Sequence, residues 1–221
     1  MNKMIALSFD DGTMNDERLV RLLDSYQIKA TFHLNGGLFP SSDQTTEGDR
    51  LPLNCLKALY TNHEVAAHGF THPDLTKLSD HEIHMELIKD IEALDHGFDQ
   101  STFGFAYPFG VYDDRVIGQL TKTKLVYART IEDTHRFDVP KDFYHINPTC
   151  HCKDIDLLNL ADQFVHLSSK EPQFFLVWGH SIEFVTNEDW ARFEEFLKRV
   201  SHQEDIFYGS ILECIAHLKK Q

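Results

Sequence analysis

Asp10 and Asp11 stand side by side where the apolar run Met4-Ile5-Ala6-Leu7 ends, and Gly12 lets the backbone turn sharply there. Adjacent carboxylates repel, so either one keeps its proton or a cation lies nearby. Asp-Asp-Gly is also an ordinary turn sequence, so the pair takes its meaning from other groups. His68 and His72, spaced His-x-x-x-His, supply two imidazoles. With Asp11 they make three protein ligands and leave a position for water, the pattern of a catalytic divalent site. Zinc is the default ion for such donors, and manganese, cobalt or nickel would also be held. In a chain with 14 histidines the pair could equally be two surface side chains, and only its setting argues otherwise. Water on such an ion becomes acidic enough to attack a carbonyl near neutral pH. Asp10 could take the proton of that water. His180 follows the apolar run Phe174–Trp178 and Gly179, so it must bond to something, and it could protonate a leaving group.

These groups need elements to gather them. Met4–Leu7, Ala30–Leu34, Glu64–Ala67, Phe103–Ala106, Leu125–Ala128, Phe174–Trp178 and Ile206–Tyr208 read as buried strands, and Phe143–Ile146 as a further short one. Helical patterns alternate with them. Leu19, Leu22, Leu23 and Tyr26 share one face behind an Asn15 cap, and Leu53, Leu56, Leu59 and Tyr60 share another. Ser79 and Glu82 form a capping box before Ile83, Leu87, Ile91 and Leu94. Further helices are expected over 113–120 and 155–167, behind an Asn187 cap as far as Val200, and after Ser210 and Glu213. Residues 40–50 read as an exposed loop, and 129–143 match no regular pattern.

Strand and helix alternate without a linker or repeat, which means parallel βα units in one domain over 1–221. About seven such units favour a closed or nearly closed barrel, whose chemistry gathers at the C-terminal strand ends. Asp10/Asp11, His68/His72, Pro108/Phe109 and His180 all follow strands and should meet at one mouth.

The chain of 221 residues is 42% apolar, enough for a real core, and carries a formal charge of −14. That charge argues against nucleic acid and anionic membrane surfaces as partners. No apolar run approaches the roughly 20 residues of a membrane span, and Met1-Asn2-Lys3 leads directly into the first strand. Cys55, Cys150, Cys152 and Cys214 suggest neither a disulfide framework nor a redox pair, so reduced thiols and a cytoplasmic setting are expected.

Taken together, Ser-Phe-Asp10-Asp11-Gly, His68-Gly-Phe-Thr71-His72, Tyr-Pro108-Phe109-Gly and Leu176-Val-Trp178-Gly-His180 resemble the polysaccharide deacetylase family, the NodB-homology domain. The resemblance implies a distorted (β/α)7 barrel and metal-dependent hydrolysis of acetyl groups on sugars. It implies Asp10 as general base, Asp11, His68 and His72 as metal ligands, and His180 as general acid. Thr71 would steady the second histidine's loop on the substrate side, and the Phe109 N–H beside Pro108 would help hold the oxyanion. Leu176 and Trp178 would line a pocket for the acetyl methyl group.

Two positions depart from the family pattern. Its third motif carries an arginine, paired with the base, where this chain has Ala106; without that cation Asp10 should be less acidic unless another group compensates. The aspartate that orients the acid histidine also has no clear counterpart. Asp133, His151 and Glu183 are the candidates for the missing partners. Cys150-His151-Cys152 is too tightly spaced to close one tetrahedron and is expected to be a loop near the mouth. A small carbohydrate substrate is expected, with another C–N amide (formyl or ureido) or a catalytically impaired sugar-binding relative as alternatives.

Overall fold

The computed structural model describes residues 1–40 and 50–220. The polar loop expected over 40–50 thus lies almost wholly outside the described residues. The elements are β1 (Lys3–Asp10), α1 (Asp16–Ser25), β2 (Ala30–Leu34), α2 (Leu53–Leu59), β3 (Glu64–Ala67), α3 (Asp80–Phe98), β4 (Gly104–Ala106), α4 (Asp114–Leu120) and β5 (Tyr127–Arg129). They continue with β6 (Cys150–His151), α5 (Leu157–His166), β7 (Gln173–Gly179), α6 (Asn187–Val200), β8 (Ile206–Tyr208) and α7 (Ile211–Leu218).

Every strand pairing is parallel, in the order β5-β4-β3-β2-β1-β7-β6. β8 pairs with the first half of β1, over Lys3–Ile5, while β2 pairs with its second half, over Leu7–Asp10. The sheet curls into the distorted barrel expected from the sequence. Its seam lies beside β5, where the segment leading into β6 pairs through the parallel bridge Arg129 to Ile146 and the bonds from Ala128 N to Phe143 O at 2.8 Å, from Ile146 N to Ala128 O at 3.0 Å and from Thr130 N to Ile146 O at 3.0 Å. The strand expected over Phe143–Ile146 is therefore shortened to that pairing. Pro148 follows closely and has no N–H to extend a ladder.

The period of two along each strand sorts the side chains. On β1, Ile5, Leu7 and Phe9 point outward into the main core under the helices. Met4 and Ala6 point inward and pack with Tyr127, Ile146, Phe174 and Leu176 inside the barrel. Continuing the inward series gives Ser8 and then Asp10, so the alternation that buries the strand also aims the carboxylate at the mouth.

The capping box Ser79/Glu82 forms as expected, and Ser210 with Glu213 closes another at the start of α7. Two caps differ. Asn15 occupies the cap position of α1, but its amide donates to Ser181 O at 3.1 Å instead of accepting a helix N–H. α6 is capped by Thr186, because Asp189 three residues on closes a capping box with it, and Asn187 is the first helical residue. Cys150, Cys152 and Cys214 are buried free thiols, and Cys55 is exposed. No described helix is long and apolar enough to cross a membrane.

Candidate active site

Asp10, Asp11, His68, His72 and His180 surround one cavity of about 310 Å³, together with Tyr107, Phe109, Gly110, Ile131 and Trp178. The cavity opens where the C-terminal strand ends meet their loops.

Three donors cluster at its base. The ligand atoms of Asp11, His68 and His72 all lie within 4.8 Å of one another. His68 Nε2 and His72 Nε2 are 3.2 Å apart. His68 Nδ1 lies 2.8 Å from Ala106 O, which places the proton on Nδ1 and leaves the Nε2 lone pair facing the cluster. Burial lowers the basicity of His68 and, with His68 adjacent, pushes His72 down to about 4. Both imidazoles are therefore neutral at pH 7 with lone pairs available. Two neutral nitrogens and one carboxylate fit a divalent metal of the zinc class.

The backbone carrying these ligands is unusual. Asp11 (φ 78°), His72 (φ 55°) and Gly69 (φ 78°) all adopt left-handed conformations. Asp90 of α3 holds the His68 loop, accepting from Gly36 N at 2.6 Å and His68 N at 2.9 Å. Asn35 Nδ2 adds bonds to His68 O at 2.8 Å and Gly69 O at 2.9 Å.

Asp10 is 2% exposed, too deep to remain charged without a partner. The partner is Arg129, the last residue of β5, whose Nη2 lies 2.5 Å from both carboxylate oxygens. Arg129 is in register with Ala106 on the neighbouring strand. The cation absent at Ala106 is thus supplied one strand over, in the same layer of the barrel. His33 Nδ1 lies 3.5 Å from Asp10 and 3.2 Å from Ser8 Oγ. Burial alone would raise the Asp10 pKa, but Arg129, with His68 and His33, holds it well below the usual carboxylate range. Arg129 is thus the compensating group, and Asp10 is not left less acidic.

His180 enters from the end of β7. Its Nε2 lies 3.9 Å from both Asp10 Oδ2 and Asp11 Oδ2. On the other side of the ring, Nδ1 lies 3.4 Å from Glu183 Oε2. Burial would lower its basicity, but Glu183, Asp10 and Asp11 raise it.

The three candidate partners separate. Glu183 meets His180; His151 Nε2 meets Glu183 Oε2 at 2.9 Å; Asp133 accepts from Trp178 Nε1 at 2.7 Å and from His151 N at 3.1 Å. None reaches Asp10. Thr71 lies off the cavity, donating to Glu86 through N at 2.9 Å and Oγ1 at 3.0 Å, which anchors the loop bearing His72. Leu176 is packed inside the barrel and does not line the cavity, because it faces the apolar layer below the mouth. Pro108 is buried and begins the turn that presents Phe109. Phe109 (φ 57°) is 60% exposed, with its ring centroid 4.5 Å from that of His72.

Arg129, Arg50, His33 and Asp90 escaped the sequence reading. Arg129 carries the same signal as His180, a polar residue directly after the apolar run Leu125–Ala128. Arg50, which reaches Asp11 Oδ1 at 3.3 Å and Asn35 Oδ1 at 3.2 Å, has no local signal at all.

Residues 1–128 match the family model described as Polysaccharide deacetylase. A peptidoglycan-N-acetylglucosamine deacetylase of Listeria monocytogenes is 26% identical over 137 residues, 60% of this chain. The matched stretch is 27% of that relative's length, so this chain spans only a fraction of it. The Xyl-CE4 domain of a multidomain xylanase from the hindgut metagenome of Trinervitermes trinervoides superposes with a TM-score of 0.66 at 18% identity, covering 99% of this chain and 92% of that one. A CE4 family pseudoenzyme from Bacillus anthracis gives 0.61 at 20% identity, covering 96% of this chain and 65% of the other.

Proposed function

Since the chain belongs to the polysaccharide deacetylase family, we propose that it is a metal-dependent hydrolase that removes acetyl groups from an N-acetylated sugar or short oligosaccharide. The observation that carries this reading is the meeting of Asp10, His180 and the Asp11/His68/His72 cluster around one cavity.

Asp11, His68 and His72 would hold the ion, with zinc first among the divalent metals these donors suit. Bound there, it supplies Lewis acidity to the acetyl carbonyl and acidity to a water molecule. The protein's own groups do the rest. Asp10, kept ionised by Arg129, accepts the proton of the attacking water. His180, protonated through its carboxylate neighbours, donates from Nε2 to the departing amine. The Phe109 N–H helps hold the carbonyl oxygen as charge develops on it. Trp178, fixed by Asp133, and Ile131 supply apolar wall for the acetyl methyl group. The Phe109 ring on the rim offers a face against which a sugar can lie.

The test is acetate release from chitooligosaccharides and peptidoglycan fragments by zinc-loaded protein, with simple formyl and ureido amides as controls. Release from an N-acetylated sugar, lost in Asp11→Ala and His68→Ala together with bound metal, is expected. Turnover of the simple amides alone would reassign the substrate, and full activity without the metal site would overturn the reading.

A further inference from the structure

Cys150-His151-Cys152 stands outside the groups assigned so far. Period two explains its spelling: Cys150 and Cys152 are buried in the main core, and His151 between them turns to the opposite face. His151 is paired in register with Trp178 on β7, and the two rings meet edge to face with centroids 4.9 Å apart. The backbone N–H of His151 and the indole N–H of Trp178 share the carboxylate of Asp133. His151 is thereby fixed at both main chain and ring face.

The tautomer of His151 follows from its bonds. Lys153 N donates to His151 Nδ1 at 3.2 Å, so Nδ1 is an acceptor and the ring proton sits on Nε2. Nε2 faces Glu183 Oε2 at 2.9 Å. The same oxygen accepts the backbone N–H of His180 at 3.1 Å and lies 3.4 Å from His180 Nδ1. Burial alone would raise the Glu183 pKa, but His151 and then His180 hold it far below its usual range, so it stays anionic.

His151, His180 and Glu183 also have the spacing of a cation site. The Lys153 bond argues against that use. It places a proton on Nε2, the atom that would have to coordinate.

We propose that His151 is a positioning residue: its Nε2–H pins Glu183, and Glu183 fixes the His180 ring with Nε2 turned toward Asp10 and Asp11. A Glu side chain three residues along the same turn has rotamer freedom that a shorter, deeper carboxylate would lack. One bond to His180 leaves Glu183 free to swing into solvent, and the second bond, from His151, removes that freedom. The functional part of this assignment rests on His180 acting as the acid in the deacetylation proposed above.

The experiment compares wild type, His151→Phe and His151→Gln on the full chain. In ¹⁵N-edited NMR of imidazole nitrogens, wild type should show His151 as the Nε2–H tautomer and a bonded His180 Nδ1–H. His151→Phe should shift the His180 nitrogens toward solvent-exposed values, and His151→Gln, which keeps an N–H donor, should restore them in part. With substrate, His151→Phe should lower kcat about tenfold or more and leave KM and bound metal unchanged, the scale of a lost outer-shell contact. Unmoved His180 signals in His151→Phe would overturn the proposal. A second equivalent of zinc bound by wild type and lost in His151→Phe would also overturn it, in favour of a cation site. If wild type releases no acetate from any sugar, the deacetylase reading fails, and the NMR comparison alone decides the placement of His180.

Discussion

Arg129 reaches Asp10 from the strand beside Ala106, and both carboxylate oxygens of Asp10 lie within hydrogen-bond distance of one guanidinium nitrogen. The arginine and the alanine form an in-register pair, so a small side chain on β4 leaves room for a long one from β5 to cross the barrel interior. Removing the cation should strand a buried charge.

Arg129→Met is expected to lower stability by about 3–5 kcal/mol, the cost of breaking a buried ion pair from one side. It should also raise the pKa of Asp10, moving the acidic limb of the pH–activity profile to higher pH. Arg129→Met combined with Ala106→Arg should recover part of both losses. Chemical denaturation and acetate release at several pH values check this, and a double variant no better than the single would count against the exchange of strands.

Metal removal should abolish acetate release, and added zinc should restore it. Asp11→Asn and His72→Gln should fail to recover at any zinc concentration. The readouts are elemental analysis and activity before and after chelation.

Glu183→Gln should shift the alkaline limb of kcat to lower pH. The carboxylate raises the basicity of His180 against the effect of burial, so its loss lets the acid deprotonate sooner. The acidic limb, set by Asp10, should stay in place.

Asp16 gives a stability prediction with a definite sign. It lies fully buried on α1, accepts from the Tyr60 hydroxyl, and is pushed up to about 7 by burial. Between its ordinary range and that value the unfolded chain has lost a proton that the folded chain keeps, so this group's contribution is largest in acid and fades as pH rises through about 7. The effect is on the order of 4 kcal/mol for a shift of about three pKa units. Asp16→Asn retains an oxygen for Tyr60 and removes the titration. Its stability relative to wild type should therefore improve from pH 4 to pH 8 in denaturation curves. His33, pushed down to about 4, acts in the opposite direction in both proteins and cancels in the comparison.

Much of this architecture could be read from the chain because most strands announce themselves as continuous apolar runs and several hand a polar residue to the same rim. That rule placed Asp10, Asp11, His68, His72 and His180 together. It failed where the signal is not local. Arg129 ends a strand only three residues long, and its relation to Asp10 depends on strand order, which periodicity does not encode. Leu176 obeyed the alternation, but its depth along the barrel axis decided that it pack below the cavity. Asp133, His151 and Glu183 could be singled out by type and position, and only the geometry of β6 and the His180 turn distributes them between Trp178 and His180.

The guanidinium that neutralises Asp10 hangs from a strand at the end of the sheet order, at a seam where β5 pairs with the segment around Ile146. Whatever parts β5 from the segment at Ile146 therefore also pulls on the cation that keeps Asp10 ionised, so closure of the sheet and the charge at the floor of the cavity are mechanically joined.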